Sequence, residues 1–489
     1  MSELNYLSAT EILKRFRDRS LSPVEYLDAL EERVDETETL INAVAERLFV
    51  EARAGAKEAE ALYASRSGEV RALEGLPVAA KAEHPIKGKL FTDGSLAFAD
   101  RIADVTHPII DRIVDAGGII HLRTTTPEFS CAPFTHSNLW GVTRNPWNLT
   151  FSPGGSSGGS GASLAAGTAP LATGSDIGGS IRIPASFNGV VGYKPPYGRV
   201  PAMAPYNLDT YCHDGPLART VADCALLQNV IAGPHPLDVV SLRPKVTIPS
   251  SFEGLNGMRI AYCVNLGDWF VDPEVEANTR GVAEALRAGG AVVEEVALDL
   301  RREDIARAAE IHFSAIFGSM VGLVDDEFAE LLTPYARKFA AMGRRYSAPG
   351  LFLEGLELEA GVYNVVGPLL ERYDALICPT SGVPSLIAGD DYVDLSRSLD
   401  DFGVEIDPIH DTIMTIAFNI LSRCPVLAVP SGWASNEVPT GVQIVGRTYD
   451  DATVFRIGAA LEDIRPWGYQ HGRYPRFLDA DSVAPSAPS

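Results

Sequence analysis

The sequence predicts an α/β protein, and three observations carry that prediction. Residues His107 to Ala116 read as a helix stopped by Gly117-Gly118, with an apolar strand following at Ile119 to Leu122. The alternation recurs as a strand at Met258 to Cys263, a helix at Pro273 to Arg287 and a strand at Ala291 to Leu298. Such alternation marks a sheet covered by helices. The composition suits a large core, since 46% of the 489 residues are hydrophobic and only 21% charged.

From the N-terminus, Ser8 is placed to cap a helix with Glu11 three positions on and Ile12, Leu13 and Phe16 along one face. After Ser22-Pro23 a second helix repeats the pattern with Tyr26, Leu27, Leu30 and Val34, so residues 1–45 are expected to form a helical hairpin. An Ala/Glu-rich helix follows near Ala45 to Ser65. Gly75 to Ala82 reads as a short apolar strand ending in a lysine, Lys81. A lysine closing an apolar run is more often a solvated strand end than a functional group.

The segment from Thr124 to Trp147 reads as a loop. Further strands are expected at Ala375 to Cys378, Val426 to Val429 and Gly441 to Val445, and helices at Ile305 to Val324, Leu356 to Arg372, Asp411 to Ile420 and Ala452 to Ile464. Asp390 to Asp407 is acidic and irregular, either a surface loop or a mobile cover over a site. Residues 481–489 read as a disordered tail.

Charge and cysteine usage exclude several classes. A net charge of −23 argues against a nucleic-acid partner. The N-terminus has no basic segment followed by an apolar one, and no stretch is long and apolar enough to span a bilayer, so a cytoplasmic protein without membrane partners is expected. Cys131, Cys212, Cys224, Cys263, Cys378 and Cys424 are scattered, as are the nine histidines, which points to no metal, no cofactor and no disulfide frame. Length alone suggests three domains, because single cores rarely exceed about 250 to 300 residues.

Two glycine-rich corners each present a serine: Gly154-Gly155-Ser156-Ser157-Gly158-Gly159-Ser160, and Asp176-Ile177-Gly178-Gly179-Ser180-Ile181-Arg182. Glycine permits tight turns and close approach to a ligand, so a serine set among glycines stands with its hydroxyl and neighbouring amides exposed. Between them, Gly158 to Gly167 reads as a helix about 15 Å long, and Ala169 to Thr173 as a strand of about 17 Å. If the strand runs back along the helix, Ser180 returns to Ser156. A flexible linker is the plain alternative for a Gly/Ser run, but neither corner completes a P-loop or a membrane GxxxG motif.

A serine hydroxyl needs a base beside it, and neither corner holds a histidine. Lysine can serve when neutral, and an apolar strand end such as Leu76 to Ala80 desolvates the amine of Lys81. The second serine then has a task, relaying a proton between lysine and nucleophile.

Together, Gly75-x-Pro77-x-x-x-Lys81, Gly154 to Ser160 and Asp176 to Ala185 resemble the amidase signature family of Ser-cisSer-Lys hydrolases. The similarity extends over nearly the whole chain, through Asn145-Pro146-Trp147, Gly192-Tyr193-Lys194-Pro195, Gly215-Pro216-Leu217-Ala218-Arg219-Thr220 and Pro439-Thr440-Gly441-Val442-Gln443. It implies one large domain over residues 1–480, with a mixed, twisted β-sheet surrounded by α-helices and a signature core at 75–225. It also implies that Ser180 is the nucleophile forming an acyl-enzyme, Ser156 the relay with a cis peptide bond to its neighbour, and Lys81 the base. The backbone amides of Ile177, Gly178, Gly179 and Ser180 correspond to the oxyanion hole. Asp176 and Arg182 flank the nucleophile and read as a structural ion pair that holds the loop.

The chain departs from the family where Ala82-Glu83 follows the lysine in place of the common Asp-Asn, and where Arg423 stands at a usual glycine. The first alters the charge that tunes Lys81. The expected substrate is a small, largely uncharged amide, with esters, anilides or carbamates as side substrates, bound by a monomer or homodimer. Ser130, Cys131, Phe134, Phe317 and Phe418 are the expected pocket residues, with Phe129 and Phe313 also suggesting an apolar acyl or aryl site. The loop 130–136 and parts of 201–211, 311–317 and 415–419 are the segments expected to line it. Two other readings are a glutaminase (A) subunit of a tRNA-dependent amidotransferase and an inactive binding protein on the same scaffold. The first normally reads Arg-Gln-Pro-Ala after the nucleophile, whereas this chain reads Arg182-Ile183-Pro184-Ala185.

Overall fold

Capping fixes where the first helices begin. In the computed structural model, which describes residues 3–65, 69–345, 348–394, 407 and 409–478, Ser8 accepts a hydrogen bond from the Glu11 backbone at the start of α1 (Ala9–Asp18). Ser22 and Glu25 form a reciprocal capping box at the start of α2 (Pro23–Ile41), satisfying backbone donors that a helix start leaves unpaired. The expected hairpin is present. The next helix, α3 (Phe49–Ser65), starts later than its composition suggests. Its first expected residues belong instead to β1 (Val44–Arg47), which pairs antiparallel at a sheet edge.

The first predicted strand–helix–strand unit comprises β2 (Pro77–Lys81), α4 (Pro108–Asp115) and β3 (Ile119–Thr124), with β2 and β3 parallel. The loop expected from Thr124 to Trp147 contains a small hairpin of β4 (His136–Ser137) and β5 (Gly141–Val142). Then come α5 (Gly158–Ala166) and β6 (Leu171–Asp176), as the glycine corners suggest.

The chain continues through α6 (Arg182–Asn188), β7 (Val191–Lys194), β8 (His213–Ala218) and α7 (Val221–Ile231), none of which the periodicity reveals. Strand β8 contains Gly215-Pro216, residues that ordinarily punctuate strands. Here a Cβ on Gly215 would lie 2.2 Å from the Tyr193 carbonyl oxygen, so the close approach of neighbouring backbone requires glycine.

The second unit is β9 (Arg259–Tyr262), α8 (Pro273–Ala288) and β10 (Val292–Glu295), again parallel. Helix α9 (Arg302–Phe313) passes through a π-helical turn at Ser314–Gly318 into α10 (Ser319–Phe328). Then follow α11 (Pro334–Arg345), α12 (Leu351–Arg372) and β11 (Ala375–Pro379). Strands β12 (Val426–Trp433) and β13 (Pro439–Gly446) precede a last long helix, Asp451–Ile464.

The helix expected over Asp411 to Ile420 is reduced to Ala417–Ile420. Its first half is turn and isolated bridge instead, tied to a neighbouring segment: Gly382 donates to the Thr412 carbonyl, and Met414 donates to the Thr380 carbonyl. Most of Asp390 to Asp407 and the 481–489 tail lie outside the described residues.

Eleven of the described strands form one mixed sheet, ordered β1-β3-β2-β6-β8-β7-β12-β13-β11-β9-β10. Parallel pairs lie toward its two flanks, where the strand–helix–strand units sit, while antiparallel pairs fill the centre and join β1 at one edge. This continuous sheet makes the chain a single α/β domain, where length alone suggests three. Its core runs from the hairpin to the sheet, with Phe16, Tyr26, Leu30, Leu76 and Val78 fully buried in one cluster.

Candidate active site

Strands β2 and β6 are parallel neighbours, so their C-terminal ends open on the same edge of the sheet. Lys81 ends β2 and is 0% exposed. Its backbone N–H donates to Thr173 Oγ1 on β6 at 3.0 Å. Its Nζ lies 2.7 Å from Ser156 Oγ, 2.7 Å from Ser175 Oγ and 2.5 Å from Glu83 Oε2. The two glycine corners do meet. The Ser157 backbone N–H donates to the Ser180 carbonyl at 3.1 Å, and the Ser157 hydroxyl bonds the backbone of Ser175. The Gly155-Ser156 peptide bond is cis.

The lysine therefore sits in different surroundings from those expected of an apolar strand end. It is buried, but a carboxylate faces it. Burial acts to raise the Glu83 carboxyl, and the adjacent Lys81 ammonium, with His84, outweighs it and brings the group down to about 2. Ser175 is the residue that motif reasoning misses. Thr173 and Ser175 share one face of β6 by the two-residue strand period, and that periodicity was the available signal.

The expected oxyanion donors need one correction. The Gly179 N–H donates to Asp176 Oδ1 at 2.8 Å, so the Asp176 side chain already takes this amide. The amides of Ile177, Gly178 and Ser180 remain as the expected donors. Gly179 matters in another way: at φ +126°, a Cβ there would lie 2.0 Å from Thr415 Oγ1. Asp176 and Arg182 form the expected ion pair, with neither side chain exposed. Burial works against the Asp176 charge, but Arg182 and Asn419 hold its carboxyl well below the ordinary carboxylate range.

A family model for amidases matches residues 25–455. The chain belongs to the amidase signature family. It is 32% identical to the acylamidase of Rhodococcus erythropolis, over 95% of this chain and 96% of that one. It is also 32% identical to a glutamyl-tRNA(Gln) amidotransferase subunit from Thermosynechococcus vestitus, again over 95% and 96% of the two chains. Among solved structures, a bacterial aryl acylamidase of the amidase signature family superposes with a TM-score of 0.88 at 27% identity, covering 96% of this chain and 99% of that one.

In this amidase, a cavity of about 450 Å³ opens onto Ser180, Gly178 and Ile177. Ser130, Cys131, Phe134 and Phe317 line it, and so does Phe313. Phe418 does not: it is fully buried in the core between the sheet and α12, because the short helix 417–420 turns it inward. Phe129 is likewise a core residue. The segment 201–211 supplies no wall to the cavity, whereas α11 supplies Tyr335, Phe339 and Met342. Helix α11 reaches the cavity because Gly318 and Gly343 pack backbone to backbone, a Cβ on Gly318 meeting the Gly343 Cα at 2.6 Å. That helix–helix contact joins residues distant in sequence, and no local pattern announces it.

Three buried residues beside the site, His84, His107 and Asp214, bring potential metal-ligating atoms within 4.8 Å of one another. Their hydrogen bonds do not suit a cation. Burial lowers His107 to about 4, keeping its ring neutral. Its Nδ1 accepts from the Ile109 N–H, so the proton resides on Nε2, which faces Asp214 Oδ2 at 3.4 Å. A cation would need the lone pair that this proton occupies. No helix among the described residues is long and apolar enough to cross a membrane.

Proposed function

We propose that the chain hydrolyses small, uncharged amides bearing an apolar acyl or aryl arm, through an acyl-serine intermediate on Ser180. The observation that carries this reading is the 2.7 Å contact between Lys81 Nζ and Ser156 Oγ beside a cavity that opens onto Ser180.

In the first step Ser180 Oγ attacks the amide carbonyl carbon. Its proton passes to Ser156 Oγ as the Ser156 proton passes to a neutral Lys81. The carbonyl oxygen gains negative charge, which the amides of Ile177, Gly178 and Ser180 are suited to receive; one such donor is worth about 3 kcal/mol of transition-state stabilisation. The proton then returns through Ser156 to the leaving nitrogen, the C–N bond breaks, and amine or ammonia departs. Water repeats the sequence on the acyl ester and frees the acid.

Apolar side chains dominate the cavity, among them Phe313, Phe317, Phe339 and Ile413. This favours an aryl or aliphatic arm over the charged amino-acid backbone of glutamine. Ile183 lines the cavity where the amidotransferase glutaminase has glutamine, which further disfavours that second reading. Esters, anilides and carbamates share the acyl-enzyme chemistry and are expected side substrates. All six cysteines are free thiols, in keeping with a reducing, cytoplasmic setting. The test is hydrolysis of aryl amides and anilides by purified protein, with glutamine as comparison, and labelling of Ser180 by a fluorophosphonate. Turnover of anilides with loss of both label and activity in Ser180→Ala supports the proposal. A protein that labels nowhere and turns over no amide is the inactive binding protein instead.

A further inference from the structure

The acceptors around Lys81 raise a question that the triad alone leaves open. An ammonium carries three protons, and Lys81 Nζ has three acceptors within 2.5 to 2.7 Å: Ser156 Oγ, Ser175 Oγ and Glu83 Oε2. This geometry is that of a fully donating ammonium, whereas a base must be neutral. One proton has to leave before Lys81 can accept another from Ser156, and the amine itself is sealed from solvent. Of the three acceptors, only Glu83 is a carboxylate; the other two are serine hydroxyls. Its side chain is 34% exposed, and the same Oε2 accepts from Ser130 at 2.8 Å and Ser175 at 2.7 Å, which fixes its orientation.

We propose that Glu83 is a positioning residue for catalysis, aiming Lys81 Nζ at Ser156, setting the pH window of the reaction, and linking the buried amine to solvent protons. The inference rests on the triad reading above. In the activating step an Nζ–H bond breaks, a carboxyl O–H bond forms on Glu83, and that proton then passes to water. No electrons change hands. Neutral Lys81 then takes the Ser156 proton as Ser180 attacks. Other titratable groups in electrostatic reach of Glu83 are His84 and, through shared coupling, His107 and Asp214. Asp93, itself paired with Arg101, and Tyr206 and Cys212 are also within electrostatic reach of it. Lys81 is the one that touches it.

The test is the pH dependence of kcat/KM, and of Ser180 labelling by a sulfonyl fluoride where turnover is slow, in wild type, Glu83→Gln, Glu83→Asp and Lys81→Ala. An opposite charge at this range shifts a titration by about one to three units. Glu83→Gln is therefore expected to move the acidic limb to lower pH by about one unit or more, while Glu83→Asp keeps the wild-type midpoint with a lower plateau. An unchanged midpoint in Glu83→Gln, or an equal shift in Glu83→Asp, overturns the inference. Should Glu83→Gln not fold, Glu83→Ala serves, its midpoint expected to shift down and to return with added formate; no shift overturns the inference there too. Lys81→Ala separates the two levels: normal labelling in that variant removes the triad reading itself, whereas loss of labelling with an unmoved Glu83→Gln limb removes only the role of Glu83.

Discussion

Asp176 and Arg182 clasp each other on either side of the nucleophile, with Arg182 Nε and Nη2 each 2.9 Å from a carboxylate oxygen and both side chains out of reach of solvent. The rest of the guanidinium is fully used, donating to Gln443, Asn419 and the Thr415 carbonyl. The pair ties the Ser180 loop to β13 and to the short helix at 417–420. Removing one partner strands the other's charge, which costs about 3 to 5 kcal/mol in such settings. Arg182→Leu is expected to lose that much in denaturant unfolding, and a loss under about 1 kcal/mol would contradict the role given to this pair.

Lys81→Ala is expected to lower kcat at least about 100-fold with an unchanged circular dichroism spectrum, since positioned proton transfer contributes about 10² to 10⁴. Activity near that of wild type would remove Lys81 from the mechanism.

The two glycines before Ser180 differ in what they tolerate. Gly179→Ala collides with Thr415 at a positive φ and is expected to cost about 1 to 3 kcal/mol of stability together with activity. A Cβ on Gly178 meets nothing nearer than the Phe313 ring, at 3.4 Å, so Gly178→Ala should leave the thermal midpoint near wild type and act on KM. Equal destabilisation by both substitutions would show that the loop is not held as described.

Enlarging the cavity tests its role directly. Phe317→Ala removes a wall beside Phe313 and Phe339. The ratio of kcat/KM for a bulky aryl acyl group over an acetyl group is expected to rise about tenfold or more. An unchanged ratio across a series of anilides would move substrate binding elsewhere.

Acid stability follows from three buried histidines. Burial lowers His107 and His121 to about 4 and His213 to about 3, all from an ordinary 6.5. Between pH 6.5 and about 4 the unfolded chain therefore binds protons that the folded chain refuses. Stability is full above this window and falls as pH drops through it. Scanning calorimetry should show the thermal midpoint declining from about pH 6.5 downward, and His121→Asn should flatten that slope. A midpoint constant to pH 4.5 would rule out neutral histidines in the fold.

The sequence by itself determined the two flanking strand–helix–strand units, the capped hairpin and the family, because each rests on local periodicity, local hydrogen bonding or a contiguous motif. Lys81, Ser156 and Ser180 are legible as candidates for the same reason. Tertiary structure alone decided the rest. Strand β8 is held by its neighbours in spite of Gly215-Pro216, and the helix expected at 411–420 yields half its length to backbone pairing with Thr380 and Gly382. Phe418 turns to the core while α11 builds the cavity wall. Above all, the surroundings of Lys81 depend on which residues parallel β2 and β6 bring to one edge. Glu83 could be seen in the sequence as a departure from the family pattern. That its carboxylate, with Ser175, meets the lysine amine is a matter of packing, which residue spacing does not encode.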